Sequence, residues 1–375
     1  MSVTVEALHG EKDDELIAFL DELSTDSASV LGYHYPFYRD MLTTLEVGEP
    51  IYLGARCEGK LVGYLPALMK KSPAGVVIGS LPYFGPNAGV LCGNERCEQV
   101  HSALLEELAQ RARTVNAISC AIYTPFQFGD FGLYEKALPR WEVVERFTQY
   151  QRLDADVRDP AAKSRVEFRD GGSNSTIVED EVSAARTVPG KGIRYDLRKA
   201  QRLGVTVSSE VTTERMATFF SIYEQNCHEF GIPIKPRTAV EWLGRTELVG
   251  KHTRLYFAFH EGEMIGGLMM VWSPKVASYY IPCSLTEARS LQPSTVLIDA
   301  AMTEAREQGI EFWNWESSPG RDSGVYQFKK KWGAVESEYR IYIQTFAGQD
   351  RLRELGRAGI TREFPYYFVW PFDRL

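Results

Sequence analysis

No apolar run in this chain reaches the ~18 residues that a membrane-spanning helix needs. Nor does the opening MSVTVEALHGEKDDE carry the charged-then-apolar pattern of a secretion leader. A basic excess is missing as well. Lys and Arg number 42 against 50 Asp and Glu, a net charge of −8, so an anion site must be a local basic patch. The six cysteines (Cys57, Cys92, Cys97, Cys120, Cys227 and Cys283) include no C-x-x-C pair. Scattered buried thiols are therefore expected, without disulfides and without a zinc site. These absences describe a soluble chain of the reducing cytoplasm.

What the sequence does have is length and apolar content for two packed cores: 375 residues, 44% hydrophobic. The stretch Leu255 to Ala334 is the most legible. LYFAFHEGEMIGGLMMVWSP reads as strand, tight turn, strand, with the turn at Glu261-Gly262-Glu263, where Gly supplies the positive φ such turns need. A further strand holds Tyr279-Tyr280-Ile281. A helix follows on the apolar spacing Val296, Leu297, Ala300, Ala301, Ala305, and Gln308-Gly309 stops it before the alternating strand IEFWNW. Strand, helix and parallel strand make a βαβ crossover, whose loop at the helix N-terminus is where anionic ligands tend to bind.

The first half repeats the order. IYLGARCEGKLVGYLPALM places Glu58-Gly59-Lys60-Leu61-Val62-Gly63 on Glu261-Gly262-Glu263-Met264-Ile265-Gly266. Asn87 to Cys92, a helix from His101 to Arg113 and a strand from Ala117 to Tyr123 complete the second instance. Ahead of it lie helices from Glu11 to Leu23 and ending near Thr44; later helices are expected at Thr213–Cys227 and Arg237–Leu248. The expected organisation is an N-terminal domain at 1–153, a polar linker or flap at 154–190, a C-terminal domain at 191–347 and an aromatic tail at 348–375. The tail, REFPYYFVWPFDRL, is expected to dock on the second domain or a dimer partner, with membrane-surface contact as the alternative.

The strand, helix, strand order of the second half resembles the acyl-binding core of the GNAT acetyltransferases. The segment SSPGRDSGVYQFKKKWGA, with Phe328, Lys329, Trp332 and Gly333 in F-K-x-x-W-G, resembles the narrower Fem-type (FemABX-like) peptidyl and aminoacyltransferases. The basic segment RYDLRKAQRLGV is similar to the helix that opens that family's second half. The resemblance implies an α/β protein of two tandem GNAT-like domains with mixed central sheets. It implies an N-acyltransferase that moves an acyl or aminoacyl group to an amine of a cell-envelope or peptide precursor.

Several residues take roles under that reading. Lys329 is the first candidate, a cation able to stabilise the oxyanion of an acyl-transfer intermediate, with a surface lysine run as the alternative. Glu316, ending IEFWNWE, is a candidate general base, or else a cap or ion-pair partner. Arg194, Arg198 and Arg202 form one basic stripe suited to the phosphates of a nucleotide- or lipid-linked acceptor, or a solvated helix face. Tyr279 and Tyr280 point to opposite faces of their strand, so that one reaches the cleft and the other the core. Tyr35 and Tyr83 are similar to aromatic cleft-lining residues of relatives, with packing roles as the alternative. Arg289 lies in the loop before the central helix, Arg289-Ser290-Leu291-Gln292-Pro293, which lacks the glycines that let a backbone approach a pyrophosphate.

No metal and no tightly bound cofactor are expected. The donor is aminoacyl-tRNA or acyl-CoA, the loop weighing against CoA, and no covalent enzyme intermediate is suggested. The alternatives are an acyl-CoA- or acyl-carrier-dependent GNAT of exopolysaccharide or natural-product assembly, and a degenerate transferase kept as a scaffold. A peripheral position at the inner membrane face goes with a lipid-linked acceptor.

Overall fold

The computed structural model describes residues 2–81, 87–93, 97–153 and 191–372. The linker expected at 154–190 and Tyr83 lie outside the described residues. The chain forms two units, Met1–Phe147 with Glu338–Leu375, and Thr148–Ser337.

In the first unit β1 (Thr4–Ala7), β2 (Glu49–Cys57), β3 (Lys60–Ser72), β4 (Gly75–Gly79) and β6 (Ser119–Tyr123) lie side by side, with β13 (Val335–Gln344) beyond β6. The two-residue β5 (Leu91–Cys92) pairs with β3. The β2–β3 hairpin turns on Glu58 and Gly59, both at positive φ (52° and 81°), the geometry that matches the twist of the flanking strands. Helix α3 (Cys97–Thr114) buries Val100, Leu104, Leu105, Leu108 and Ala112, one face of a 3.6-residue period, over the sheet. Three shorter helices, α1 (Asp13–Ser24), α2 (Pro36–Thr44) and α4 (Gly132–Ala137), belong to the same unit.

The second unit repeats this plan. Its order is β7 (Glu142–Arg152, from Thr148 on), β12 (Phe312–Ser317), β11 (Val276–Ser284), β10 (Glu263–Trp272), β9 (Thr253–His260) and β8 (Thr206–Ser208). The β9–β10 turn again has two residues at positive φ, Glu261 (52°) and Gly262 (86°). The copies even share an irregularity. Ile265 is an extra residue in β10 where the register shifts between Met264 and Gly266, and Val62 is its counterpart in β3. Five helices accompany the sheet: α5 (Lys191–Arg202), α6 (Thr213–Phe230), α7 (Arg237–Leu243), α8 (Pro293–Glu307) and α9 (Gly324–Lys331). Helix α8 carries the chain from β11 to the parallel β12, and its buried Val296, Leu297, Ala301 and Ala305 pack on Ile193 and Ala200 of α5 and on Trp313 and Trp315 of β12. The chain is thus α/β, two units of one plan with parallel and antiparallel strand pairs, as expected.

Three expectations need correction. Cys92 and Cys97 are joined as a disulfide; the other four cysteines are buried thiols as expected. The C-x-x-C rule missed this because one cysteine ends a strand and the other begins a helix, which brings their Cα atoms to 6.1 Å across a longer spacing. Helix α7 stops at Leu243, where Gly244 packs so tightly on Met216 that an added Cβ would come within 2.5 Å of its Cε. The aromatic tail docks on the first unit: β13 joins β6, helix α10 (Asp350–Glu363) follows, and Phe364, Val369 and Trp370 enter the core with Val77, Ile118 and Ile343. Among the described residues no helix is long and apolar enough to cross a membrane.

Candidate active site

The parallel pairing of β11 with β12 runs from Val276–Phe312 to Ser278–Asn314, while β11 continues to Ser284 and β12 to Ser317. Both strands carry an extra residue just past that point. Tyr280 is the additional residue of β11 opposite β10, and Trp315 that of β12 opposite β7. Such bulges bend a strand and re-aim its side chains. Tyr279 turns to the core against Trp313 and Trp315, whereas Tyr280 lies under the ammonium of Lys235, 5.0 Å from Nζ to its ring centroid. The two tyrosines thus have different neighbours, on a strand whose alternation the bulge interrupts.

Helix α9 brings Lys329 to the end of β12. Ser323 starts this helix, its hydroxyl accepting from the Tyr326 amide (3.2 Å), and Gly333 at φ 92° ends it. Tyr326, Lys329 and Trp332 fall three residues apart on the inward face, leaving Lys330 and Lys331 exposed. Lys329 is only 3% exposed, and its Nζ donates to the main-chain carbonyls of Glu316 and Ser317, both at 3.0 Å. An ammonium has three N–H donors, so one is left for a ligand. Burial pushes its pKa down to about 8, against the opposing pull of the Glu316 charge. A fall of that size corresponds to about 3 kcal/mol of cost in keeping the cation buried.

Glu316 sits in the left-handed region (φ 61°), a sparsely populated conformation for a side chain of its kind. Asn314 holds it there. This fully buried amide donates to Glu316 Oε1 (2.9 Å) and Ser278 Oγ (3.3 Å), and its carbonyl accepts from the Glu316 amide (3.0 Å) and Thr148 Oγ1 (3.2 Å). Lys235 is a second cation near this carboxylate. Its own pKa is also depressed to about 8 by burial, with Cys227 and Glu316 pulling the other way. Its amide donates to Tyr223 Oη (2.9 Å). A buried lysine whose proton affinity is weakened, held against the Glu316 main chain, can face a developing negative charge near neutral pH.

The structure thus gathers Lys329, Glu316 and Tyr280, and adds Lys235 and Asn314, which sequence reasoning missed. Pro233 and Pro236 around Lys235 marked a fixed turn but not where it points, and Asn314 was hidden inside an apparently regular strand. The other candidates sit elsewhere. Arg194, Arg198 and Arg202 lie on the exposed face of α5, whose Ile193 and Ala200 face the core. Arg289 pairs with Glu229 (2.9 Å) over the Phe230 ring. In the first unit Tyr35 is buried, its hydroxyl donating to Asp21 Oδ1 (2.7 Å). A surface hollow of about 490 Å³ in that unit, lined by Arg353, Gly356, Arg357 and Phe372, offers neither nucleophile nor carboxylate.

The loop before α8 closes on itself. Gln292 takes φ 65°, a conformation natural to glycine, and Pro293 at the first helical position has no N–H. The amides of Leu291, Gln292, Thr295 and Val296 donate to Ala288, Arg289 and Gln292 carbonyls within the loop.

A family model described as the acetyltransferase (GNAT) domain matches residues 190–330, the segment that holds this cluster. That segment is therefore similar to a GNAT acetyltransferase domain. Over 98 residues the chain is 31% identical to the lipid II:glycine glycyltransferase of Staphylococcus saprophyticus subsp. saprophyticus, a match spanning 24% of this chain and 24% of that protein. The crystal structure of FemX shares the fold, with a TM-score of 0.63 at 14% identity over 94% of this chain and 99% of that one. So does the C-terminal domain of a putative lysylphosphatidylglycerol synthetase from Agrobacterium fabrum (TM-score 0.53, 13% identity, 94% and 96% coverage).

Proposed function

We propose that the protein transfers an aminoacyl group to an amine of a lipid-, nucleotide- or peptide-linked cell-envelope precursor, and that the second unit carries the reaction. The observation that carries this reading is the buried Lys329 ammonium beside Glu316, where β11 and β12 part. The acceptor amine gives its proton to Glu316 and attacks the donor's carbonyl. The free N–H of Lys329 faces the oxyanion of the tetrahedral intermediate, a contact made only as charge develops and so a direct contribution to rate. Collapse of the intermediate expels the donor's hydroxyl oxygen, which takes up the proton that Glu316 received from the amine, so that the carboxylate is regenerated. The basic face of α5 suits the acceptor's phosphates.

Aminoacyl-tRNA is favoured as donor over acyl-CoA because the α8 loop has few free amides for a pyrophosphate. The glycyltransferase likeness supports the same choice of donor and a lipid-linked acceptor, which would bring the protein to the inner membrane face. The test is transfer of radiolabelled amino acid from a panel of charged tRNAs, and of acetyl from acetyl-CoA, to lipid II and its soluble nucleotide precursor. Ribonuclease-sensitive labelling is expected; labelling from acetyl-CoA alone, or thermal stabilisation by CoA, would overturn the donor assignment.

A further inference from the structure

The cluster that transfer does not use lies in the first unit. Cys92 at the end of β5, and Cys97 and His101 one turn apart at the start of α3, bring two sulfurs and an imidazole nitrogen within 4.8 Å of one another. His101 Nδ1 is 3.6 Å from the Cys92 sulfur and 3.4 Å from the Cys97 sulfur. Around a tetrahedral ion with metal–sulfur and metal–nitrogen bonds of about 2.3 and 2.1 Å, two such ligands stand about 3.6 Å apart. A disulfide by itself has no need of an imidazole at that distance from both sulfurs.

We propose that the reduced first unit binds a thiophilic divalent cation of the zinc class through Cys92, Cys97 and His101 Nδ1. The observations fit at three points. Sulfur and imidazole together form the ligand set that favours zinc over magnesium or calcium. Two thiolates neutralise a divalent cation, so the half-buried site carries no net charge. His101 is 1% exposed and lies between the rings of Phe128 and Tyr134 (centroids 5.7 and 5.4 Å away). On binding, each thiol releases its proton to solvent, and the Nδ1 proton, which points at the Cys97 carbonyl (2.9 Å), moves to Nε2. The disulfide is the metal-free, oxidised form of the same site, and a phosphine reductant converts it to the dithiol. The second copy has nothing equivalent: Ser284 stands in the register position of Cys92, and α8 opens with Pro293.

The test uses the full chain, reduced with a phosphine, stripped of metal and titrated anaerobically with cobalt(II) and then zinc(II). One cobalt per chain is expected, with sulfur-to-cobalt charge-transfer bands and tetrahedral d–d bands that zinc abolishes. Cys92→Ser and Cys97→Ser should each weaken binding by at least ~100-fold, since ligands matter no less than the groups that orient them. As a measurement on the unmodified chain, zinc should protect Cys92 and Cys97 from alkylation, read by peptide mass spectrometry. Cobalt uptake by the reduced protein no greater than by the Cys92→Ser/Cys97→Ser double variant, or alkylation unchanged by zinc, would overturn the site and leave a disulfide only.

Discussion

The two units share a turn, a bulge and a βαβ crossover, yet differ at the positions of Lys329 and Glu316. Counting from the Gly-x-Tyr that opens the helix after each crossover, Gly132-Leu133-Tyr134 and Gly324-Val325-Tyr326, the place of Lys329 is taken by Ala137 in the first unit. The neighbouring Lys136 is exposed and pairs with Glu98 at the surface. Glu316 at the end of β12 has Tyr123 as its counterpart at the end of β6, and that tyrosine stacks on Tyr339. The first copy keeps the scaffold and fills the corresponding position with packing. The second keeps a buried cation and a strained glutamate, features that cost stability and persist where they are used.

The sharpest way to break this comparison is to remove the cation from each copy. Lys329→Met should lower kcat/KM for aminoacyl transfer by about 10²–10³-fold, the usual loss for one oxyanion donor, while Lys136→Met leaves transfer within about twofold. Steady-state rates on both variants, with thermal melts to confirm folding, decide it. Equal losses would mean that the copies are not functionally distinct.

A pH profile sharpens the same point. Lys329 is an effective cation below its pKa of about 8 and loses its charge as pH rises through that value. The ratio of wild-type to Lys329→Met rates cancels the ionisation of the acceptor amine. That ratio should fall about tenfold for each pH unit above about 8, and a flat ratio from pH 7 to 10 would remove the cationic role.

The first unit has its own titrating group. His34 is 1% exposed, and burial lowers its pKa from 6.5 to about 4. Between those values the unfolded chain binds the proton that the native chain refuses. Stability should therefore drop as pH falls below 6.5, by about 3 kcal/mol once pH is below 4. Urea melts at pH 7, 5.5 and 4 should show this slope, and His34→Gln should flatten it relative to wild type.

The smallest effect tests the likeness itself. Gly59 and Gly262, at φ 81° and 86° with open space around them, should each cost about 1 kcal/mol when changed to Ala, from backbone strain alone. Clearly unequal costs in denaturant melts would argue against equivalent turns.

Much of this was legible in the chain. Glu-Gly between alternating apolar runs announced both hairpins, and the 3.6-residue apolar spacing announced α3 and α8. The F-K-x-x-W-G resemblance singled out Lys329, while only the helix from Gly324 to Lys331 showed that it turns inward and its two neighbours outward. Lys235 and Asn314 were not legible, because nothing in their neighbours' periodicity says which way a proline-bounded turn or a bulged strand will point. Nor was the destination of the tail, since strand pairing over long sequence separation leaves no local trace.

The sequence by itself determined the local vocabulary: which segments turn, which alternate, which bury one helical face, and that the set occurs twice. Only the tertiary structure decided that β13 and the tail complete the first unit, that Cys92 and Cys97 meet across a strand–helix junction, and that Lys329 reaches the Glu316 main chain while Lys235 lies over Tyr280. The physical reason is range. Turns and periodicities are set by a residue and its next few neighbours, whereas desolvation, charge coupling and ligand geometry depend on groups that only a folded chain brings within a few ångströms.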